Sequence, residues 1–295
     1  MPPDGSSGAE TGTATEAGRR LVAGRLDLAF APDSGGRTYL ARQYANYPFH
    51  VCRTLYQDEE RPGLATLYLQ SCSGGLYEDD RLDMLLETAE GAEAHVSTQG
   101  PTIVHTMPSG SASLDARIVA APRSYLEYLP DPQILFPGSR CASRIEISLS
   151  GDAVVLVSDS FLGHDPDGRQ APFSDYWSEI VIANEAKQVL AVDRLRVEGG
   201  GFGEACPGIS GLYAAQGTLI VAGLALSSHA LAERLRAIRP GRDEAAIGVS
   251  ELPKSAGHIV RVLTADGASL KRAMAAAWST VRTVLKGAPP VERRK

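Results

Sequence analysis

Turn signals at Glu90–Gly91, Pro122, Gly151–Asp152 and Asn184–Glu185 punctuate the middle of the chain at intervals of roughly thirty residues. Each sits between two apolar runs, as in "RLDMLLETAEGAEAHVSTQ" and "IEISLSGDAVVLVSDS". Within the runs the alternation has period two: Ile145, Ile147 and Leu149 share one face, and Glu146 and Ser148 share the other. That periodicity belongs to strands, and with Gly, Asn, Asp and Pro at the turns it predicts hairpins in series. The content of 30 Gly and 18 Pro agrees with a turn-dense chain. No helical period of useful length interrupts the runs, which disfavours an alternating βαβ nucleotide fold. The expected class is all-β dominated, a β-helix-like stack of strand hairpins, and the spacing alone also fits a sandwich.

Helical period appears only near the C-terminus. "SSHALAERLRAIRP" predicts a helix capped at Ser227 or Ser228 and stopped at Pro240. "SLKRAMAAAWSTVRTVLKG" predicts a second, with Leu270, Met274, Trp278, Val281 and Leu285 on one face for packing against the sheet. Arg272 and Arg282 lie off that stripe and are expected to be solvated. Gly287 and Pro289 are its stop signals. Residues 1–20 are too poor in apolar groups to offset ordering and are expected to form a disordered tail. A single domain is expected over 21–288, followed by a tail at 289–295.

Charge and cysteine usage exclude several classes. A net charge of −6 argues against a nucleic-acid backbone as partner, which needs clustered Lys and Arg. Cys52, Cys72, Cys141 and Cys206 are widely spaced, with no C-x-x-C, so neither a zinc ribbon nor a disulfide framework is indicated. The N-terminal segment has no apolar core of a secretory signal, and no run approaches the ~18 apolar residues of a membrane helix. A cytoplasmic location, away from membranes, is expected.

Familiar catalytic patterns are missing. "SCSGGLYEDD" (71–80) lacks the Lys of a phosphate loop and places acids where phosphate would bind. "GGGFGEACPG" lacks the G-x-G-x-x-G spacing and reads as a loop, and "GISG" falls short of a nucleophile elbow. "HDPDGR" sets His164, Asp165 and Asp167 together, but Arg169 breaks calcium-loop spacing, so a turn is the simpler reading. Glu78, Asp79, Asp80 and Asp83 form the densest acidic cluster, a solvated strand end or a set of hard oxygen ligands. His95 and His105 flank "VSTQGPTIV" and have the spacing to converge across a turn.

The order of segments carries more than any single motif. "GGRTYLARQYANYPFHVCRTLY", "ATLYLQSCSGGLYEDDRLDM", "AHVSTQGPTIVHTM", "LEYLPDPQILFPGSR" and the closing "IVRVLTADGASLKRAMAAAWSTVRTVLKG" follow one another. This succession, over about residues 24–287, closely resembles the urease accessory protein family UreD, also called UreH. The resemblance implies a non-enzymatic nickel-delivery chaperone of β-helix-like fold with two helices. It implies partners UreF and, through it, the GTPase UreG, docking on apo-urease, and transient passage of Ni²⁺ with carbon dioxide or bicarbonate along an internal polar tunnel. No tightly bound cofactor is implied, and pairing within the complex is.

Matched motif by motif, the resemblance points to Asp80, Thr102, Asp159 and Asp193 as residues lining or gating the nickel route. Glu78, Asp79, His95, His105 and His164 are weaker candidates. The sequence departs from the family at Asp79, where a Gly suited to positive φ is expected, at Ile103 and His105, in "LGHDPDGRQAPFSDY", and in the closing "PPVERRK". Asp tolerates positive φ better than most residues. Two rivals stay open: a β-rich metal-dependent hydrolase using the acidic cluster with His95 or His105, and a divergent paralogue acting only as a partner-binding scaffold.

Overall fold

The computed structural model describes residues 22–202, 208–224, 226, 229–239 and 245–291. The predicted N-terminal tail, the Ser227/Ser228 cap, Pro240, Cys206 and half of the "GGGFGEACPG" loop therefore lie outside the described residues.

Along the chain the strands are β1 (Ala23–Pro32), β2 (Thr38–Ala45), β3 (Phe49–Val51), β4 (Ala65–Ser71), β5 (Arg81–Thr88), β6 (Glu93–Thr98), β7 (Thr102–Val104), β8 (Ala112–Ala120), β9 (Tyr125–Tyr128) and β10 (Gln133–Leu135). They continue with β11 (Arg140–Leu149), β12 (Val154–Gly163), β13 (Asp175–Asn184), β14 (Val189–Glu198) and β15 (Ala215–Ala222). Helix α1 (His229–Arg236), strands β16 (Ala245–Glu251) and β17 (Gly257–Thr264), and helix α2 (Gly267–Lys286) complete the order. Among the described residues these strands make two sheets. Sheet A runs β14-β13-β11-β8-β5-β1-β2, and sheet B runs β16-β17-β15-β12-β9-β6-β4-β3, with the short β7 and β10 joined to β12.

The stacked-strand, solenoid-like arrangement is the one expected, but the local unit is different at three of the four turns. Only Asn184–Glu185 closes a hairpin, between β13 and β14. The turns at Gly91, Pro122 and Gly151 instead carry the chain from sheet A to sheet B. Each strand then pairs in parallel with its counterpart one coil later: Ala65 faces Ala94, Glu93 faces Tyr125, and Tyr125 faces Val154. The thirty-residue repeat is therefore the length of a coil. Alternating strands bounded by turn residues look alike whether they fold back on each other or arch between sheets, because pairing is nonlocal.

The inward faces of the two sheets enclose the main core, with Leu28, Leu86, Ile118, Ile147, Val96 and Val155 fully buried. A second apolar cluster fills the same inter-sheet space toward Phe161 and Phe173. The outer face of sheet B is covered by the helices. Leu270, Trp278 and Val281 of the predicted stripe are buried there, with Met274 and Leu285 partly so, and each fully buried aliphatic side chain contributes about 1.5–3 kcal/mol. Asp266 caps α2 by accepting from the Ser269 N–H at 2.8 Å, and Gly287 ends it in the left-handed conformation at φ 83°. The helix crosses β15 at Gly217, where a Cβ would stand 2.7 Å from Met274 Sδ and 2.9 Å from Leu270 Cδ1. A glycine here lets α2 seat directly on the sheet.

Arg282 corrects the expectation of a solvated residue: its side chain is 3% exposed. It follows Val281 directly and lies four residues, one helical turn, beyond Trp278, so it borders the apolar stripe and faces the sheet. No helix among the described residues is long and apolar enough to cross a membrane.

Candidate functional site: a polar chamber between the sheets

Three inward side chains break the apolar lining at one level of the solenoid. Cys141, Ser143, Ile145 and Ile147 alternate inward along β11, and Tyr176, Ser178 and Ile180 along β13. Opposite them on β12, Val155, Val157, Asp159 and Phe161 also point inward. Ser143, Ser178 and Asp159 thus form a polar layer between two apolar ones. Asp159 Oδ1 accepts from Tyr176 Oη at 2.8 Å and from Ser143 Oγ at 3.2 Å. Tyr176 in turn accepts from Gln133 Nε2 at 3.1 Å, and Cys141 Sγ donates to Gln133 Oε1 at 3.1 Å. Burial pushes the Asp159 carboxyl above the ordinary range, and hydrogen bonds from Ser178, Tyr176 and Ser143 offset that only in part.

Beside this layer is a cavity of about 470 Å³, lined by the polar residues Thr102, Tyr128, Gln133, Ser143 and Asp159 together with apolar ones such as Met84 and Ile145. It reaches the segments Ser71–Gly75 and Gln99–Thr102. A second cavity of about 320 Å³ lies on the other side of sheet B, beneath Leu270, Met274 and Trp278 of α2. Pro130, Asp131, Ser158 and Ser160 line both. They mark a break in the sheet: β9 ends at Tyr128 and β10 begins at Gln133. Two prolines in the intervening Leu-Pro-Asp-Pro have no N–H for the ladder.

The expected site residues divide among several places. Thr102 and Asp159 line the same chamber. Asp193, on β14, pairs with Arg261 of β17, which also donates to Thr218 Oγ1 at 3.3 Å. Thr218 is the register partner of Asp159, and the Asp193 charge is among the influences raising the Asp159 carboxyl, so these two acids share one end of the interior. Asp80 is buried but serves the turn before β5, accepting from Tyr77 N at 3.0 Å and Val22 N at 3.3 Å. Asp79 has φ 65°, the conformation anticipated where the family carries Gly. Glu78 accepts from the Gly110 and Ser109 N–H groups, which hold its carboxyl below the ordinary range.

The histidines do not join these acids. His105 stacks on Tyr77 with centroids 4.1 Å apart, and its Nε2 lies 3.1 Å from the Gly74 carbonyl. His164 is exposed, tilted 6.0 Å from the Phe136 ring. His95 faces α2 on the outer side of sheet B. Its Nδ1 is 2.7 Å from Glu127 Oε2, and its ring stacks on Trp278. His95 and His105 therefore have separate surroundings. Among the described residues no three His, Cys, Asp or Glu side chains converge as metal ligands, so the acidic cluster with His95 or His105 expected of a metal hydrolase is not assembled among them.

Sequence reasoning missed the most highly connected acid, Glu127. Its side chain is fully buried and accepts from Tyr125 Oη, Trp278 Nε1, Arg282 Nε and Arg282 Nη2 at 2.6–2.9 Å. Arg282 also reaches Asp58 at 2.6 Å. Burial alone would raise the Glu127 carboxyl, but the bonds and charge of His95 and Arg282 hold it well below the usual range. One signal was available: a lone Glu in the run "YLEYLP", whose neighbours leave no polar face for it.

Fold and site together define a stacked-strand solenoid with an internal polar chamber and a helix clamped across one sheet. Its relatives are specific. The family model described as UreD urease accessory protein matches residues 22–295. The chain is 38% identical over 268 residues to the urease accessory protein UreD 1 of Pseudomonas syringae pv. syringae, covering 91% of this chain and 94% of that protein. It is 39% identical over 281 residues to UreD 1 of Methylorubrum populi, covering 94% and 92%, and 34% identical over 275 residues to UreD of Natronomonas pharaonis, covering 92% and 91%. The chain belongs to the UreD urease accessory protein family.

Proposed function

We propose that this protein acts in urease maturation as a non-enzymatic scaffold that passes Ni²⁺ through its interior toward apo-urease, assembled with UreF-like and UreG-like partners. The observation that carries this reading is the polar layer of Asp159, Ser143 and Ser178 beside a chamber that Thr102 also lines. Carboxylate, hydroxyl and amide oxygens are hard donors. They exchange a borderline cation readily, whereas a cage of thiolates and imidazoles would retain it. The shared lining of the two cavities at Pro130, Asp131, Ser158 and Ser160 supports a passage from the chamber to the α2 side of sheet B. Asp193 and Arg261 lie at the margin of this route, and Asp80 supports it only by shaping the turn before β5.

The test is reconstitution from purified apo-urease, Ni²⁺, bicarbonate and the UreF-like and UreG-like proteins, with and without this chain. Urease activity and bound nickel are expected to depend on the chain. Equal activation without it would overturn the proposal.

A further inference from the structure

Strand β3, antiparallel to β4, carries His50, and Cys52 follows directly after its last residue, Val51. Phe49 and Val51 pack against the main core, so period two turns His50 and Cys52 to the opposite face. Gln70 is the cross-strand partner of His50. His50 Nδ1 lies 2.9 Å from Gln70 Oε1 and 3.9 Å from Cys52 Sγ. Cys52 is a free thiol, half-buried, and His50 is exposed. The imidazole nitrogen of the exposed His50 is therefore close to both a sulfur and an amide oxygen.

These separations suit a metal ion. Bonds of about 2.1 Å to nitrogen and oxygen and about 2.3 Å to sulfur span them at ligand–metal–ligand angles of about 90° and 125°. Such angles lie within the range of distorted tetrahedral and five-coordinate sites. Imidazole and thiolate together select borderline or soft cations over Mg²⁺ or Ca²⁺. Gln70 is also among the residues lining the chamber, so one of the three borders it.

We propose that His50, Cys52 and Gln70 form a capture site for a borderline divalent cation, Ni²⁺ or Zn²⁺, on the face of β3 and β4 turned away from the core. On binding, Cys52 releases its proton to solvent and forms the metal–sulfur bond. His50 takes the tautomer protonated at Nε2 and offers the Nδ1 lone pair, Gln70 adds a weak oxygen, and water fills the remaining positions. Two strong ligands and open positions favour release of the ion to a further acceptor. The proposal rests on the maturation reading only for the destination of the ion, since binding itself is measured on the isolated chain.

The probe is Ni²⁺ alone, added to the purified protein while the thiolate-to-metal charge-transfer absorption in the near ultraviolet is followed. A saturable band is expected. It should vanish in Cys52→Ser and His50→Ala, weaken by about tenfold in apparent affinity in Gln70→Ala, and persist in Cys72→Ser. Each variant is first shown to be folded by circular dichroism. No band in the unaltered protein, or a band that survives Cys52→Ser, would overturn the site. Urease activation is scored separately. A band without activation leaves the site standing and sinks the maturation reading, and activation without a band does the reverse.

Discussion

Glu127 and Arg282 stand 155 residues apart in sequence and form a two-point ion pair, with Nε to Oε1 and Nη2 to Oε2 both at 2.8 Å, beneath helix α2. Neither side chain is more than 3% exposed. The pair ties the C-terminal helix to the middle of sheet B, and His95, Trp278, Tyr125 and Asp58 complete its hydrogen bonding. It fixes where α2 lies over the second cavity.

Breaking one side of a buried pair leaves the other charge without compensation. Glu127→Gln is expected to lower unfolding free energy by about 3–5 kcal/mol. Replacing both partners, as in Glu127→Leu with Arg282→Met, should cost less than the sum of the single changes. Urea denaturation of the single and double variants checks this. A Glu127→Gln protein as stable as the parent would show that the pair does not hold the helix.

The same carboxylate sets an acid limb. Its pKa in the folded protein lies below that of the unfolded chain, so its contribution is fully present above the ordinary carboxylate value near 4.3. That contribution is lost as pH falls from there toward the folded value. Stability measured from about pH 7 downward should therefore be flat until about pH 5 and then decline. In Glu127→Gln the difference from the parent should shrink over that acid range. A difference that stays constant down to pH 3 would contradict the assignment.

Asp159 has the opposite sign. Its folded pKa is raised, so ionisation weakens the fold above that pKa, and the penalty disappears as pH falls through it. Asp159→Asn keeps the shape and can still bond Tyr176 and Ser143. It is expected to raise the melting temperature at pH 7–8 and to lose that advantage in acid. Thermal scans at both pH values decide this, and a lower melting temperature at pH 8 would count against a burial penalty.

Gly217 is where α2 approaches the sheet most closely. Gly217→Ala adds a methyl that meets Met274 and Leu270, and overpacking of this kind costs about 1–3 kcal/mol. The expected result is a lower denaturation midpoint, and an unchanged midpoint would show that the helix does not bear on this position. Urea denaturation of the variant and the parent measures it.

Much of this architecture is legible in the sequence. Period-two alternation and turn residues gave the strands, and the Leu270–Leu285 stripe gave the buried face of α2. Asp79 in place of Gly marked a left-handed position, observed at φ 65°. Strand pairing was not legible, because an arch at Gly91 and a hairpin at Asn184 are built from the same local signals. Arg282 looked like a solvated residue beside an apolar stripe, since its partners Glu127 and Asp58 are remote in sequence. The chamber emerged only when Asp159 and Thr102 were brought together by β12 and β10 pairing with β7. Asp80, equally acidic in sequence, was consumed by a turn.

The central claim, that nickel reaches urease through the chamber, is tested most directly by narrowing the chamber's mouth. Thr102→Trp places a bulky ring at its partly exposed rim and leaves the buried layer of Asp159, Ser143 and Ser178 untouched. Nickel incorporated per urease active site is measured in the reconstituted system, after confirming that the variant is folded and still assembles with its partners. The account predicts a fall in nickel incorporation of about tenfold or more, a barrier increase of at least about 1.4 kcal/mol. Nickel incorporation at the parent rate, with the chamber blocked and the complex intact, would contradict it.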